Sequence, residues 1–226
     1  MNARSPAGSI RAIFFDAVGT LLHLSPSAAE VYAEAGAKFG CALPIDVICE
    51  RFRTAFQQQD AEDARNSWAT TEERELRRWQ EIVNSVFESS NAELFDHLWR
   101  YFAQPSAWRL LPEIGEVLAQ LSRRKIILGM ASNFDRRLHS VAAGFPELTP
   151  LRLRLLSAEI GWRKPSLKFF AELVQSANCE PEQILHVGDD PTNDYAGALA
   201  AGLQATLLNS NNGLRKLRQL LNRISA

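Results

Sequence analysis

Hydrophobic positions along the chain follow two different rhythms. Residues 10–15, IRAIFF, make a short, mostly apolar run that stops at Asp16, with Gly19 and Thr20 just beyond. A run of this kind ending in a polar turn predicts a strand buried on both faces. Over 27–104 the apolar residues recur instead at helical spacing. One set is Ile45, Ile48, Phe52 and Phe56; a second is Leu76, Trp79, Val83 and Phe87; a third is Leu94, Phe95, Leu98, Trp99 and Phe102. Thr70 with Glu73 offers a capping box before the second set, and Asn91 a cap before the third. The stretch predicts four or five helices and no strand. From about residue 108 the two rhythms alternate. Helices are expected at 112–123, 135–143, 166–177 and 194–201, and strands at 125–131, 151–156, 184–187 and 203–208.

Repeated strand–helix alternation predicts a parallel sheet with helices on both faces. The fold class is therefore α/β, a Rossmann-like core built from 1–24 and 106–226. An all-helical domain of 25–105 interrupts it after the first strand. That insert is too long, and too well provided with apolar faces, to be a loop. The tail 214–226 is basic and amphipathic, and is expected to be a last helix docked on the core with a solvated basic face.

Composition narrows the function classes. With 226 residues, 46% hydrophobic and 23% charged, the chain reads as an ordinary globular enzyme rather than a disordered or fibrous one. A net charge of −1 provides no field to steer nucleic acid or an anionic membrane, so neither is expected as a partner. Three cysteines (Cys41, Cys49 and Cys179), without CxxC spacing, argue for reduced thiols rather than disulfides or a zinc site. No signal-like or membrane-length apolar run occurs, and a cytoplasmic protein, monomer or homodimer, is expected.

The candidate chemistry sits where open parallel sheets bind ligands, beyond the carboxyl ends of the strands. Asp16 follows the first strand and Ser132-Asn133 the next. Asp189, Asp190 and Asp194 follow a later one, and Lys164 lies in a loop before a helix. Asp16, Asp189 and Asp194 brought together would repel one another or rise in pKa. Mg²⁺, a hard cation that takes carboxylate, carbonyl and water oxygens, resolves that conflict and can also hold a phosphate oxygen. A hydroxyl from Ser132 and a fixed positive charge from Lys164 suit a transferring phosphoryl group.

These residues resemble the motifs of the haloacid-dehalogenase-like hydrolases. Asp16-Ala17-Val18-Gly19-Thr20 is similar to the family's DxDGT, Ser132 to its second motif and Lys164-Pro165 to its third. Gly188-Asp189 through Asp194 is similar to its GDxxxxD. The resemblance covers the whole chain, and the helical insert is similar to the family's C1 cap. The segments DAVGTLL, SNFDRRL and SAEIGWRKP resemble one branch of that family. The resemblance implies Asp16 as nucleophile and metal ligand. The backbone carbonyl of Val18, Asp189 and Asp194 become the remaining metal ligands, with Mg²⁺ as cofactor. Ser132, Asn133 and Lys164 become the contacts to a small phosphorylated molecule, and Lys164 also orients Asp16. Asp190 reads either as support for the metal site or as a turn residue, and Asn133 either as a substrate contact or as a brace for its loop.

Position 18 departs from the family pattern. Its phosphatases usually carry Asp there, which protonates the leaving group; Val transfers no proton. Loss of such a group costs roughly 10²–10⁴-fold in rate. A substrate with a good leaving group, such as an acyl or aryl phosphate, a substitute acid such as His23, or a protein that binds phosphorylated ligands with little turnover are the consequences considered. A metal-free 2-haloacid dehalogenase is the other branch, favoured by Val18 and disfavoured by the gathered acids. Tyr32, Trp68, Trp79 and Trp99 are placed either in the insert's own core or against the substrate.

Overall fold

A computed structural model describes residues 9–208, together with Lys216 and Gln219. Apart from Lys216 and Gln219, the expected helix at 214–226 lies outside the described residues. Among them, a five-stranded parallel sheet has the order β5-β4-β1-β6-β7, with β1 Ala12–Phe15, β4 Ile127–Ser132, β5 Leu153–Leu156, β6 Ile184–Gly188 and β7 Gln204–Leu207. The Rossmann-like α/β core predicted from the sequence is present.

The period-two geometry of β1 sets the two layers. Ile13 and Phe15 point to one face, where they pack with Leu118 of α5 (Ile114–Ser122) and Val141 of α6 (Arg137–Ala143). Ala12 and Phe14 point to the other, against Phe169, Phe170 and Leu173 of α8 (Leu167–Ala177) and Ala198 of α9 (Gly197–Ala200). Phe14 and Phe15 are almost wholly buried, and each contributes roughly 1.5–3 kcal/mol of apolar burial.

Four helices fill the stretch between β2 (Leu22–Leu24) and β3 (Trp108–Leu110): α1 Ala28–Lys38, α2 Ile45–Arg65, α3 Glu72–Phe87 and α4 Ala92–Tyr101. Their shared core includes Tyr32, Ile48, Val83, Val86, Leu94 and Leu98. Asn91 caps α4, its side chain accepting from the Leu94 N–H at 3.0 Å. The expected capping box at Thr70 is displaced by one residue. Thr71 accepts from the Arg74 N–H, while the Thr70 hydroxyl donates to Glu75.

Two features depart from the sequence expectation. β2 and β3 pair antiparallel, Leu22 with Leu110 and Leu24 with Trp108, forming a two-stranded stem where the helical segment leaves and rejoins the core. The helix expected over 194–201 is instead a π-helical turn, Pro191–Ala196, followed by the single turn of α9. The bundle also touches the core where α3 meets α7 (Ser157–Ile160). Ala69 and Trp162 form an antiparallel bridge, and the Arg163 N–H donates to the Trp68 carbonyl at 2.8 Å. Among the described residues, no helix is long and apolar enough to cross a membrane. Cys41, Cys49 and Cys179 are free thiols.

Candidate active site

Strand register brings the separate motifs to one edge. Phe15 pairs with Met130 on β4 and with Val187 on β6. Asp16, Ser132 and Asp189 therefore leave the sheet side by side at its carboxyl end, where the strand order turns about β1. The turn after Asp16 is tight, with the Leu21 and Leu22 N–H groups both donating to the Ala17 carbonyl. Gly19 adopts φ +91°, and a Cβ there would overlap the Asp189 carboxylate. Only a residue without a side chain lets the turn approach the acid so closely.

Lys164 lies at the centre of the constellation and is buried. Its Nζ donates to Asp16 Oδ1 at 2.7 Å, to Asp194 Oδ1 at 2.5 Å and to the Ala131 carbonyl at 2.9 Å. The Ser132 hydroxyl donates to Asp16 Oδ1 at 3.2 Å. Asp189 accepts from the Thr20 hydroxyl at 3.0 Å. Carboxylate oxygens of Asp16, Asp189 and Asp194 all lie within 4.8 Å of one another.

The electrostatics of this cluster are short of positive charge. Three carboxylates face one ammonium. Burial pushes Asp16 up to about 7; Asp194 and Asp189 push the same way against the opposing pull of Lys164. Burial also raises Asp189. Burial acts to raise Asp194 as well, but the Lys164 ammonium and the hydrogen bond from His186 outweigh it and hold that carboxyl below the usual range. The Lys164 ammonium is held above its ordinary value, because Asp16 and Asp194 overcome the effect of burial. An all-oxygen, anion-rich donor set of this kind fits a hard divalent cation.

Asn133 braces the lysine loop. Its amide donates to the Lys164 carbonyl at 2.9 Å, and its Oδ1 accepts from the Lys164 N–H at 2.7 Å. Asp190 caps the π turn by accepting from the Thr192 and Asn193 N–H groups, both at 2.7 Å. Val18 lines the cavity above Asp16 and is 38% exposed. His23 sits on the exposed side of β2 and is not among the cavity-lining residues, so the substitute-acid role considered for it has no structural support.

Sequence reasoning did not assign roles to Thr20 and His186. His186 Nε2 lies 2.9 Å from Asp194 Oδ1 and is wholly buried. Its signal was a lone polar residue inside the apolar strand Ile184–Gly188. Thr20 carried no signal apart from its place in the first motif.

The cavity over these groups measures about 380 Å³. Its floor is the sheet edge and its roof the bundle, including Tyr32, Phe52, Trp79, Phe95 and Trp99. Of the aromatic residues considered from the sequence, Trp68 alone does not line it; it forms a turn at φ +62°.

A family model for haloacid dehalogenase-like hydrolases matches residues 10–202. The human protein called haloacid dehalogenase-like hydrolase domain-containing protein 3 is 28% identical over 206 residues, covering 88% of this chain and 82% of its own. Among solved structures, the magnesium-bound HAD-hydrolase YfnB from Bacillus subtilis superimposes with a TM-score of 0.77 at 17% identity, covering 95% of this chain and 99% of that one. The L-2-haloacid dehalogenase RSc1362 reaches a TM-score of 0.73 at 20% identity, covering 96% of this chain and 100% of its own.

Proposed function

This chain belongs to the haloacid dehalogenase-like hydrolase family, and from that premise we propose that it is a Mg²⁺-dependent phosphatase working through an aspartyl-phosphate on Asp16. The observation that carries the reading is the convergence of Asp16, Asp189 and Asp194 within 4.8 Å around one lysine. A metal-free C–X hydrolase has no use for three mutually repelling acids.

In this reading Asp16, Asp189, Asp194 and the Val18 carbonyl hold the ion. When bound, it neutralises the acids and the charge of the phosphoryl group. Asp16 attacks phosphorus through its carboxylate oxygen as the ester oxygen departs on the opposite side. The Ser132 hydroxyl and the Lys164 ammonium already converge on the Asp16 carboxylate, and so on the non-bridging oxygens of a group bound against it. Asn133 keeps Lys164 in register by bonding its backbone at both ends. Val18 supplies no proton to the departing oxygen, so that oxygen leaves as the anion or takes its proton from water. Water then hydrolyses the aspartyl-phosphate, and the bundle roof limits access of bulk solvent.

Hydrolysis of 4-nitrophenyl phosphate and acetyl phosphate, with Mg²⁺ and with EDTA, tests the reading. Turnover with Mg²⁺ is expected to vanish in EDTA and to fall to background in Asp16→Asn, with circular dichroism unchanged. Full metal-dependent turnover by Asp16→Asn would refute the nucleophile assignment. Dehalogenase chemistry is the second reading, favoured by Val18 and by the fold shared with RSc1362. Halide release from 2-haloacids in EDTA, without phosphate release in Mg²⁺, would select it. Binding of phosphate esters with no turnover in either assay would leave a phosphoryl-ligand-binding protein.

A further inference from the structure

We propose that the substrate is the phosphate ester of an aromatic hydroxyl, a phenol or naphthol in chemical class, with its ring seated between the bundle and the sheet edge. The proposal rests on the phosphatase reading and adds the leaving group to it.

The cavity is polarised in a way that matches such a molecule. Asp16, Ser132 and Lys164 form its floor, where the phosphoryl group must sit. Above them rise Phe52, Trp79, Phe95, Trp99 and Phe102. Phe52 stands edge-on to Tyr32 at 5.5 Å between centroids and meets Trp79 at 6.4 Å. Walls of ring faces and edges favour a flat aromatic guest, which adds its own offset or edge contacts. A space of about 380 Å³ lies at the lower end of the range for small-molecule sites, suited to one or two rings rather than a long chain.

Charged groups in the walls are already engaged. Arg137 makes two bonds to the Asp135 carboxylate, at 2.8 and 2.6 Å, and its guanidinium carbon lies 3.2 Å from the centre of the Trp99 ring. Arg163 is tied to Glu75 and Asp63, and Asp60 to Arg78. The Tyr32 phenol is a neutral hydroxyl, and burial pushes its pKa further up. Beyond the Tyr32 hydroxyl and the Arg163 Nε, a sugar, polyol or carboxylate entering this space would meet mostly ring carbons in place of the water it sheds.

Val18 supports the same conclusion from chemistry rather than shape. It faces the cavity where a departing oxygen needs a proton, and it has none to give. A phenolate, with a conjugate-acid pKa of about 10 like that of tyrosine, leaves without one far more readily than an alkoxide. Apolar walls and a missing acid thus select the same ester.

The experiment compares kcat/KM, with Mg²⁺, for 2-naphthyl phosphate, acetyl phosphate and glycerol 3-phosphate. Acetyl phosphate has a good leaving group and no ring; glycerol 3-phosphate has neither. The expected order places 2-naphthyl phosphate at least about 10²-fold above glycerol 3-phosphate, the scale of a missing general acid. Its KM should lie at least tenfold below that of acetyl phosphate. Trp99→Ala should raise KM for 2-naphthyl phosphate more than for acetyl phosphate. As a check independent of that variant's folding, Asp16→Asn with Mg²⁺ should bind 2-naphthyl phosphate at least tenfold more tightly than glycerol 3-phosphate in calorimetry. If acetyl and glycerol phosphates are turned over with no advantage for the aryl ester, the aromatic assignment is overturned and the phosphatase stands. If none of the three is hydrolysed with Mg²⁺, the phosphatase reading itself falls.

Discussion

At the scale of single residues, Val18 is the most consequential position. Gly19 beside it, at φ +91°, lets the loop approach Asp189, while the Val18 side chain offers no proton donor. Val18→Asp tests whether that loss limits the rate. Turnover of glycerol 3-phosphate is expected to rise by about 10²-fold, the lower end of the range attributed to general acids, with a smaller gain for aryl phosphates. An equal gain for both esters, or none, would mean that proton transfer to the leaving group is not the limiting step. The other motif residues were legible because their chemistry admits few substitutes: Asp16, Ser132, Lys164, Asp189 and Asp194 were each named from the sequence and converge at one edge. Thr20 and His186 were not, because what they do depends on which carboxylate oxygen lies within reach, and no spacing encodes that distance. Asn133 was left between substrate contact and loop brace; the two bonds of its side chain to the Lys164 backbone make the brace explicit.

At the scale of elements, legibility followed length. The helices α2 and α3 run through 21 and 16 residues, enough turns for their apolar stripes to stand out. β2 and β3, with three residues each, present no period at all and were missed. The π turn was hidden for a different reason: the Asp190 carbonyl accepts from both the Asp194 and the Tyr195 N–H, a widening by one residue that periodicity over six residues cannot register. Nor did spacing reveal what joins α2 and α3 to the core. Asp63, Glu75 and Arg78 are buried between those helices, and Arg163, next to Lys164, reaches into them. Apart from the Arg163 guanidinium, Glu75 accepts from the Thr70 hydroxyl. Arg163→Met would keep the packing of the side chain's aliphatic part and leave Glu75 as a buried carboxylate without its cation. Breaking such a pair costs about 3–5 kcal/mol, so the urea midpoint is expected to fall accordingly. A loss below about 1 kcal/mol would mean that water reaches Glu75 and that the junction between bundle and core is open in solution.

At the scale of the whole molecule, the fold gathers negative charge at one edge although the chain carries a net charge of only −1. In the proposed function, stability and cation binding are therefore coupled through the same three acids. Asp16 and Asp189 are both raised in the folded protein. A carboxyl raised above its unfolded value binds protons more readily when folded, so near neutral pH its ionised form works against folding, and the deficit eases as pH falls. A cation that binds only the folded chain reverses this, adding RT ln(1 + [L]/Kd): about 1.4 kcal/mol at ten times Kd, or roughly 3–6 °C in Tm for a chain of this size. Asp189→Asn separates the two contributions, because its amide oxygen can still accept from Thr20 while one charge is removed. In EDTA the variant should melt at or above the wild-type Tm, and the rise that Mg²⁺ gives the wild type should be largely lost. A variant that melts well below wild type in EDTA, yet keeps its full response to Mg²⁺, would mean that Asp189 serves the fold through Thr20 and that the ion, if held, is held elsewhere.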